Sequence, residues 1–253
     1  MISKSIRNIG KNDMRLIRRE LILITLLLFV VYIAVVLKFL LPWANSYLAD
    51  KGFLPNATIP HALSYYYPII VAFFLLYMGG MLAGAVSGFL ALSEKDDGTA
   101  VAMLVTPVSP RKFNTYRIVI TTIISFVIIM FQFYIVGILV LPFWQMVLIA
   151  IGGSLFGPII MLFLAGFADG KLQGMGYGKF LSLGGLFVLL SWFVKEPLQY
   201  LFGIFPPYWI SKAYWLALDG HSSWLIALVV GIVLQFVMIK LLMRKFEKTL
   251  YHY

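Results

Sequence analysis

The sequence predicts an all-α membrane protein with six transmembrane helices and both termini in the cytosol. Three observations carry this reading. Only 12% of the residues are charged and 62% are hydrophobic, with a mean hydropathy of +0.95, whereas about a quarter of the residues of an ordinary soluble domain are charged. Six apolar runs approach or exceed the length of about 20 residues that a helix rising 1.5 Å per residue needs to cross about 30 Å of hydrocarbon. Finally, the Lys and Arg residues concentrate on alternate connections, as expected when cytoplasmic flanks retain cations.

The first twenty residues intersperse Ile2, Ile6, Ile9, Leu16 and Ile17 with six basic residues. One apolar and one cationic face on a helix suit the membrane interface, so 1–20 is expected as an interfacial helix leading into span one, with no cleavable signal. The spans are expected at 21–41, 65–92, 118–141, 144–167, 180–194 and 224–243, the fifth being the shortest. None shows the strict alternation of a transmembrane barrel strand. The whole chain, 1–253, reads as one transmembrane domain. With the N-terminus inside, 16 of the 20 basic residues fall on the inner connections and termini, leaving Lys38, Lys51, Lys195 and Lys212 outside.

This distribution excludes a nucleic-acid role for the net charge of +10, because the cations flank membrane spans and form no single basic face. No cysteine is present, which removes disulfides, thiolate chemistry and sulfur metal sites and fits a bacterial plasma membrane. A phosphate-cradling loop of the G-x-x-x-x-G-K-[ST] kind is missing. The nearest approach, GMGYGKF at 174–180, has Gln173 where the first glycine should stand and Phe180 in place of Ser or Thr, so its glycines read as a flexible loop. Ionisable residues within spans usually mark coupled carriers, but Lys38 can snorkel to the interface, and Asp169, Lys195 and Glu196 sit at span ends. The histidines His61, His221 and His252 are scattered, with no carboxylate at ligand spacing. The expectation is a helix bundle that is not an enzyme, holds no metal or cofactor, and takes its energy from a partner.

The polar stretch 93–117 is where such a partner would bind. Asp96, Asp97 or Thr99 can cap a helix start, and Thr106-Pro107 stops that helix, since the residue before a proline is pushed out of the α region. Ser109-Pro110 restarts helicity with proline at the first helical position. Between them Ala100, Val101, Leu104 and Val105 share one face, an apolar knob on a rigid element. At these residues the sequence resembles a known family. Glu94, Gly98, Thr99, Leu104, Thr106, Pro107, Val108 and Ser109 match E-x-x-x-G-T-x-x-x-x-L-x-[TS]-P-[VL]-S, a pattern similar to that of permease subunits of type-2 ATP-binding-cassette (ABC-2) exporters, most of all the small drug exporters of the fluoroquinolone-export kind.

The resemblance implies that 93–117 is a cytosolic coupling segment whose short helix enters a cleft on a separate ATPase subunit, with Glu94 near that contact. Ala100 and Val101 depart from the leucine and acidic residue common in the family, which bears on the identity of the ATPase accepted. It further implies two ATPase subunits carrying the ATP and Mg, a second permease half, identical or related, and a re-entrant segment between spans five and six, where Pro206, Pro207, Tyr208 and Trp209 resemble the P-x-Y-W signature. Independently of it, Gly80, Gly84 and Gly88 in span two, with Gly153 and Gly157 in span four, mark close helix packing. The apolar, aromatic spans suit a hydrophobic or amphipathic cargo such as a drug, lipid or peptide. The alternative is a membrane scaffold that binds a cytosolic partner without transporting anything.

Overall fold

The computed structural model describes residues 21–51, 63–97 and 110–250. Segments 1–20, expected as the interfacial helix, and 98–109, the core of the coupling stretch, lie outside the described residues. Six helices long and apolar enough to span a membrane are present, and no strand occurs among the described residues.

Span one is α1 (Leu21–Asp50). Span two begins with a 3₁₀ turn (Leu63–Tyr66) and continues through α2 (Tyr67–Val71), a π-helical turn (Ala72–Met78) and α3 (Gly79–Asp96). Span three is α4 (Pro110–Val136), and span four consists of α5 (Phe143–Ser154) and α6 (Phe156–Phe167). Span five consists of α7 (Lys171–Leu183) and α8 (Gly185–Phe193); a 3₁₀ helix (Leu198–Ile204) and α9 (Pro206–Leu218) then precede span six, α10 (Trp224–Leu250).

Of the boundaries that differ from the sequence expectation, three lie in spans one, three and five. Span five starts at Lys171, not at 180, so the glycines expected as a flexible loop are helical. In hydrocarbon each backbone amide must be satisfied within its own segment, which outweighs the poor helix propensity of glycine. Gly174 is also seated against span two, where a Cβ would lie 2.4 Å from Leu92 Cδ1. Helix α1 runs nine residues past 41, carrying Pro42 within it. Span three stops at Val136, because Gly137 at φ 60° ends the helix in the left-handed conformation open to glycine, although the apolar run continues to Leu141.

Spans two and four form the centre, with 78% of their hydrophobic windows buried, against 28% for spans one, three and six and 17% for span five. Helix α3 lies along α6, α10 packs on α6 and α9, and α4 packs on α1, α3 and α5. The outer spans turn residues such as Phe39, Phe131, Phe187 and Phe236 outward, the faces expected to meet lipid. The central crossing depends on small residues. A Cβ on Gly84 would lie 2.3 Å from the carbonyl oxygen of Gly157, one on Gly80 3.0 Å from that of Gly153, and one on Gly88 2.8 Å from Leu164 Cδ1. One on Gly157 would meet Ser125 Oγ of span three at 2.1 Å. Here the backbones of spans two and four approach each other through a column of missing side chains, with the Ser125 side chain of span three set against them.

Two glutamines lie fully buried inside the bundle. Gln235 Nε2 donates to the Gly152 carbonyl at 2.9 Å, and Gln132 Nε2 points to the Val30 carbonyl at 3.5 Å. At the π-helical turn, Tyr77 donates its hydroxyl to the carbonyl of Leu181, and its ring covers the break between α7 and α8 at Gly184 and Gly185. Above that turn, Trp215 Nε1 donates to the Pro68 carbonyl at 3.2 Å.

Candidate functional site

The lower end of the bundle carries residues 94–97, 110–117 and 165–171. There α3 finishes in three consecutive charges, and each reaches a different neighbour. Glu94 pairs with Arg117 of α4, their side chains being 8% and 4% exposed. Arg117 lies inside α4, one turn after Phe113, whose ring stands 4.9 Å from the guanidinium carbon and covers the cation. Lys95 donates its ammonium to the carbonyls of Ala165, at 2.5 Å, and Ala168, at 3.0 Å. Those groups belong to the C-terminal end of α6, where carbonyls lack intrahelical partners and a cation complements the helix dipole. Asp96 accepts the backbone N–H of Lys171, the first residue of α7, at 3.2 Å, which caps the positive end of that helix. This approach needs a glycine at 170, where a Cβ would lie 2.6 Å from Asp96 Oδ1. Asn114 is 1% exposed, and neither atom of its amide has a hydrogen-bond partner among the described residues.

At the upper end, the 3₁₀ helix and α9 form a hairpin inserted among the spans. Pro207 lines the same small cavity as Gln235. Gln235 lies eleven residues inside α10, so the hairpin tip reaches about 16 Å down that helix at 1.5 Å per residue. That length is about half the thickness of a bilayer core of about 30 Å. Pro206 and Pro207 open α9, and Tyr208 is fully buried. Trp209 donates to the Gly203 carbonyl at 2.9 Å and stacks on Tyr200 with ring centroids 6.0 Å apart, which closes the hairpin. Near its mouth Lys212 donates to Glu196 at 2.7 Å and to Gln199 at 2.6 Å. Helix α9 ends at Leu218, and Gly220 at φ 72° turns the chain toward span six.

Lys212 and then Tyr200, through their hydrogen bonds, hold the Glu196 carboxyl below its ordinary value of 4.5. A carboxylate with a depressed folded value stabilises the fold above the unfolded value and loses that contribution as pH falls through the folded one. The Glu196 side chain is 54% exposed, so solvent screening keeps the effect small. Thermal melts of wild type and Glu196→Gln are expected to differ at about pH 6 and to converge in acid, as pH falls through the lowered carboxyl value and the group becomes protonated.

The sequence profile of the family described as fluoroquinolones export permease protein Rv2686c-like matches residues 13–243. The chain belongs to this family. Relatives from two Mycobacterium tuberculosis strains, CDC 1551 and H37Rv, each named a fluoroquinolones export permease protein, are 32% identical over 243 residues, covering 94% of this chain and 92% of theirs. No solved structure matches the chain.

In this permease, of the residues singled out in the coupling stretch, Glu94 is within the described structure, while Gly98, Thr99, Val101, Leu104, Thr106, Pro107, Val108 and Ser109 lie outside the described residues. Helix α4 begins at Pro110. Gly80 and Gly84 meet the backbone of span four at Gly153 and Gly157, whereas Gly88 meets the side chain of Leu164. Asp96 caps a helix start, but that of span five, 75 residues away. The sequence reading missed Lys95 as a cap and Arg117 as a buried partner, counting both as flanking charge. The available signal was Arg117 four residues after Phe113, a spacing that places an aromatic ring beside a cation on one helical face. Gln132 and Gln235 also escaped, because only ionisable residues were sought within the spans.

Proposed function

We propose that this chain is the membrane-spanning half of an ATP-driven drug exporter in a bacterial plasma membrane, with the lower end and both termini in the cytosol. Two permease halves, identical or related, enclose the path, and two separate ABC ATPase subunits bind below them. ATP and Mg act on those subunits, and this chain contributes no catalytic residue. The observation that carries the reading is the buried Glu94–Arg117 pair, which joins the ends of spans two and three on either side of segment 98–109.

Closure of the ATPase pair around ATP displaces the segment 98–109. Because Glu94 and Arg117 hold the two helix ends together, spans two and three move as one body. The column of glycines above the pair passes the shift to span four, where close backbone contact leaves no slack. Such a movement changes transport only to the extent that ATP binding favours one of two bundle arrangements. The names of the relatives support fluoroquinolones, or drugs of similar amphipathic character, as the cargo, and the apolar, aromatic spans agree with such a compound.

The test is co-expression with the ATPase subunit, affinity purification, and measurement of ATP hydrolysis and fluoroquinolone accumulation in cells. Wild type is expected to co-purify with the ATPase and lower drug accumulation. Leu104→Asp, which places a charge among the apolar residues expected at the ATPase contact, is expected to insert normally, lose the ATPase and raise accumulation to the level of cells without the permease. If wild type retains no ATPase and does not change accumulation, the exporter reading fails and the scaffold reading replaces it.

A further inference from the structure

We infer that Lys95 and Asp96 are positioning residues that carry the movement of the foot of span two into spans four and five, so that the lower half of span five travels with span two. The inference rests on the ATP-coupled reading above and assigns it a route through two side chains outside the Glu94–Arg117 pair.

Geometry comes first. Successive residues on an α-helix point about 100° apart, so Glu94, Lys95 and Asp96 fan out toward three neighbours. Glu94 meets span three, Lys95 the last carbonyls of span four, and Asp96 the first amide of span five. Lys95 and Asp96 therefore hold the short link between α6 and α7 from its two sides. Their charges are matched to what they touch, a cation on the negative end of α6 and an anion on the positive end of α7.

The packing of α7 gives an independent reason. This helix buries little of itself, Gly174 being its one buried residue. Span two attaches to it at three heights: Asp96 at Lys171, Leu92 and Phe89 against Gly174, and Tyr77 at Leu181. Just above the last of these the helix breaks at Gly184, between α7 and α8. A segment held along its length by one neighbour, and jointed at its far end, follows that neighbour. Tyr177 against Phe163 of span four is a further ring contact on α7, and it lies on the span that Lys95 secures.

The absence of cysteine allows single-cysteine reporters without a background. An environment-sensitive fluorophore is placed at Leu172→Cys on α7 or at Val119→Cys on α4, both exposed positions. The full complex with its ATPase in lipid nanodiscs is compared without nucleotide and with ATP trapped. In the parent both labels are expected to change emission. In Lys95→Gln/Asp96→Asn the Val119 label still responds and the Leu172 label does not. Gly170→Ala, which keeps both charged side chains but crowds Asp96, reproduces the loss, and Lys95→Arg, which keeps the cation, retains the Leu172 response that Lys95→Gln loses. A general loss of folding would silence both labels equally, so the split between them is the informative readout. An undiminished Leu172 response in both Lys95→Gln/Asp96→Asn and Gly170→Ala overturns the inference while leaving the exporter reading intact. Silence of both labels in a folded parent complex overturns the ATP-coupled reading and this inference with it.

Discussion

Arg117→Leu is expected to destabilise the permease by about 3–5 kcal/mol, the usual cost of removing one partner of a buried ion pair. The cost arises from what stays behind. Glu94 is 8% exposed at the side chain, and a carboxylate so far from water, without the guanidinium, has lost the attraction that offset its desolvation. The Phe113 ring loses the cation it covers as well. The double variant Glu94→Leu/Arg117→Leu is expected to recover most of the loss, because replacing a whole buried pair by apolar side chains is often neutral. Thermal unfolding of the purified protein in detergent tests both. Equal losses in the single and double variants would mean that the position, not the charge, is what matters.

The second large effect is expected at Gly84→Val. The first added carbon would already lie 2.3 Å from the Gly157 carbonyl oxygen and 2.8 Å from Ile160 Cβ. Both neighbours are attached to backbone, so no side-chain rotation relieves the clash. Overpacking a dense core costs about 1–3 kcal/mol when side chains can adjust, and here two helix axes must separate instead. Yield of monodisperse protein by size-exclusion chromatography is expected to collapse. The matched control is Gly176→Ala, where a Cβ meets nothing within 4 Å. There the better helix propensity of alanine is worth about 0.8–1 kcal/mol, and the melting temperature is expected to hold or rise.

These two cases mark what could be read from residues alone. The glycine spacing at 80, 84, 88 and at 153, 157 was legible because small residues on one face have a single cheap use in lipid. Five of the six spans were legible to within several residues at most of their ends, because hydropathy reports length directly. The lower half of span five was not. Lys171, Gln173 and Lys179, with three glycines, dilute its hydropathy, and its helicity comes from backbone satisfaction and from contact with span two. The wiring of Glu94, Lys95 and Asp96 was hidden for another reason. A local pattern identifies a charge as polar, but the partners lie 23 to 75 residues away, and only the fold brings them together. The resemblance at Pro206, Pro207, Tyr208 and Trp209 implies a re-entrant segment there, but not the Lys212–Glu196 contact at the mouth of the hairpin.

The π-helical turn in span two has a consequence for phase. An i→i+5 turn takes in one residue more than an α turn, and one residue is about 100° of rotation. The stretch above Ala72 directs its Pro68 carbonyl at Trp215, while the stretch below Met78 directs Gly80 and Gly84 at span four. Wound as α-helix throughout, the span could align one of these faces and would turn the other away by roughly a quarter of a revolution. The extra residue therefore works as the offset between two gears on one shaft, letting a single helix mesh with the hairpin above and the glycine column below.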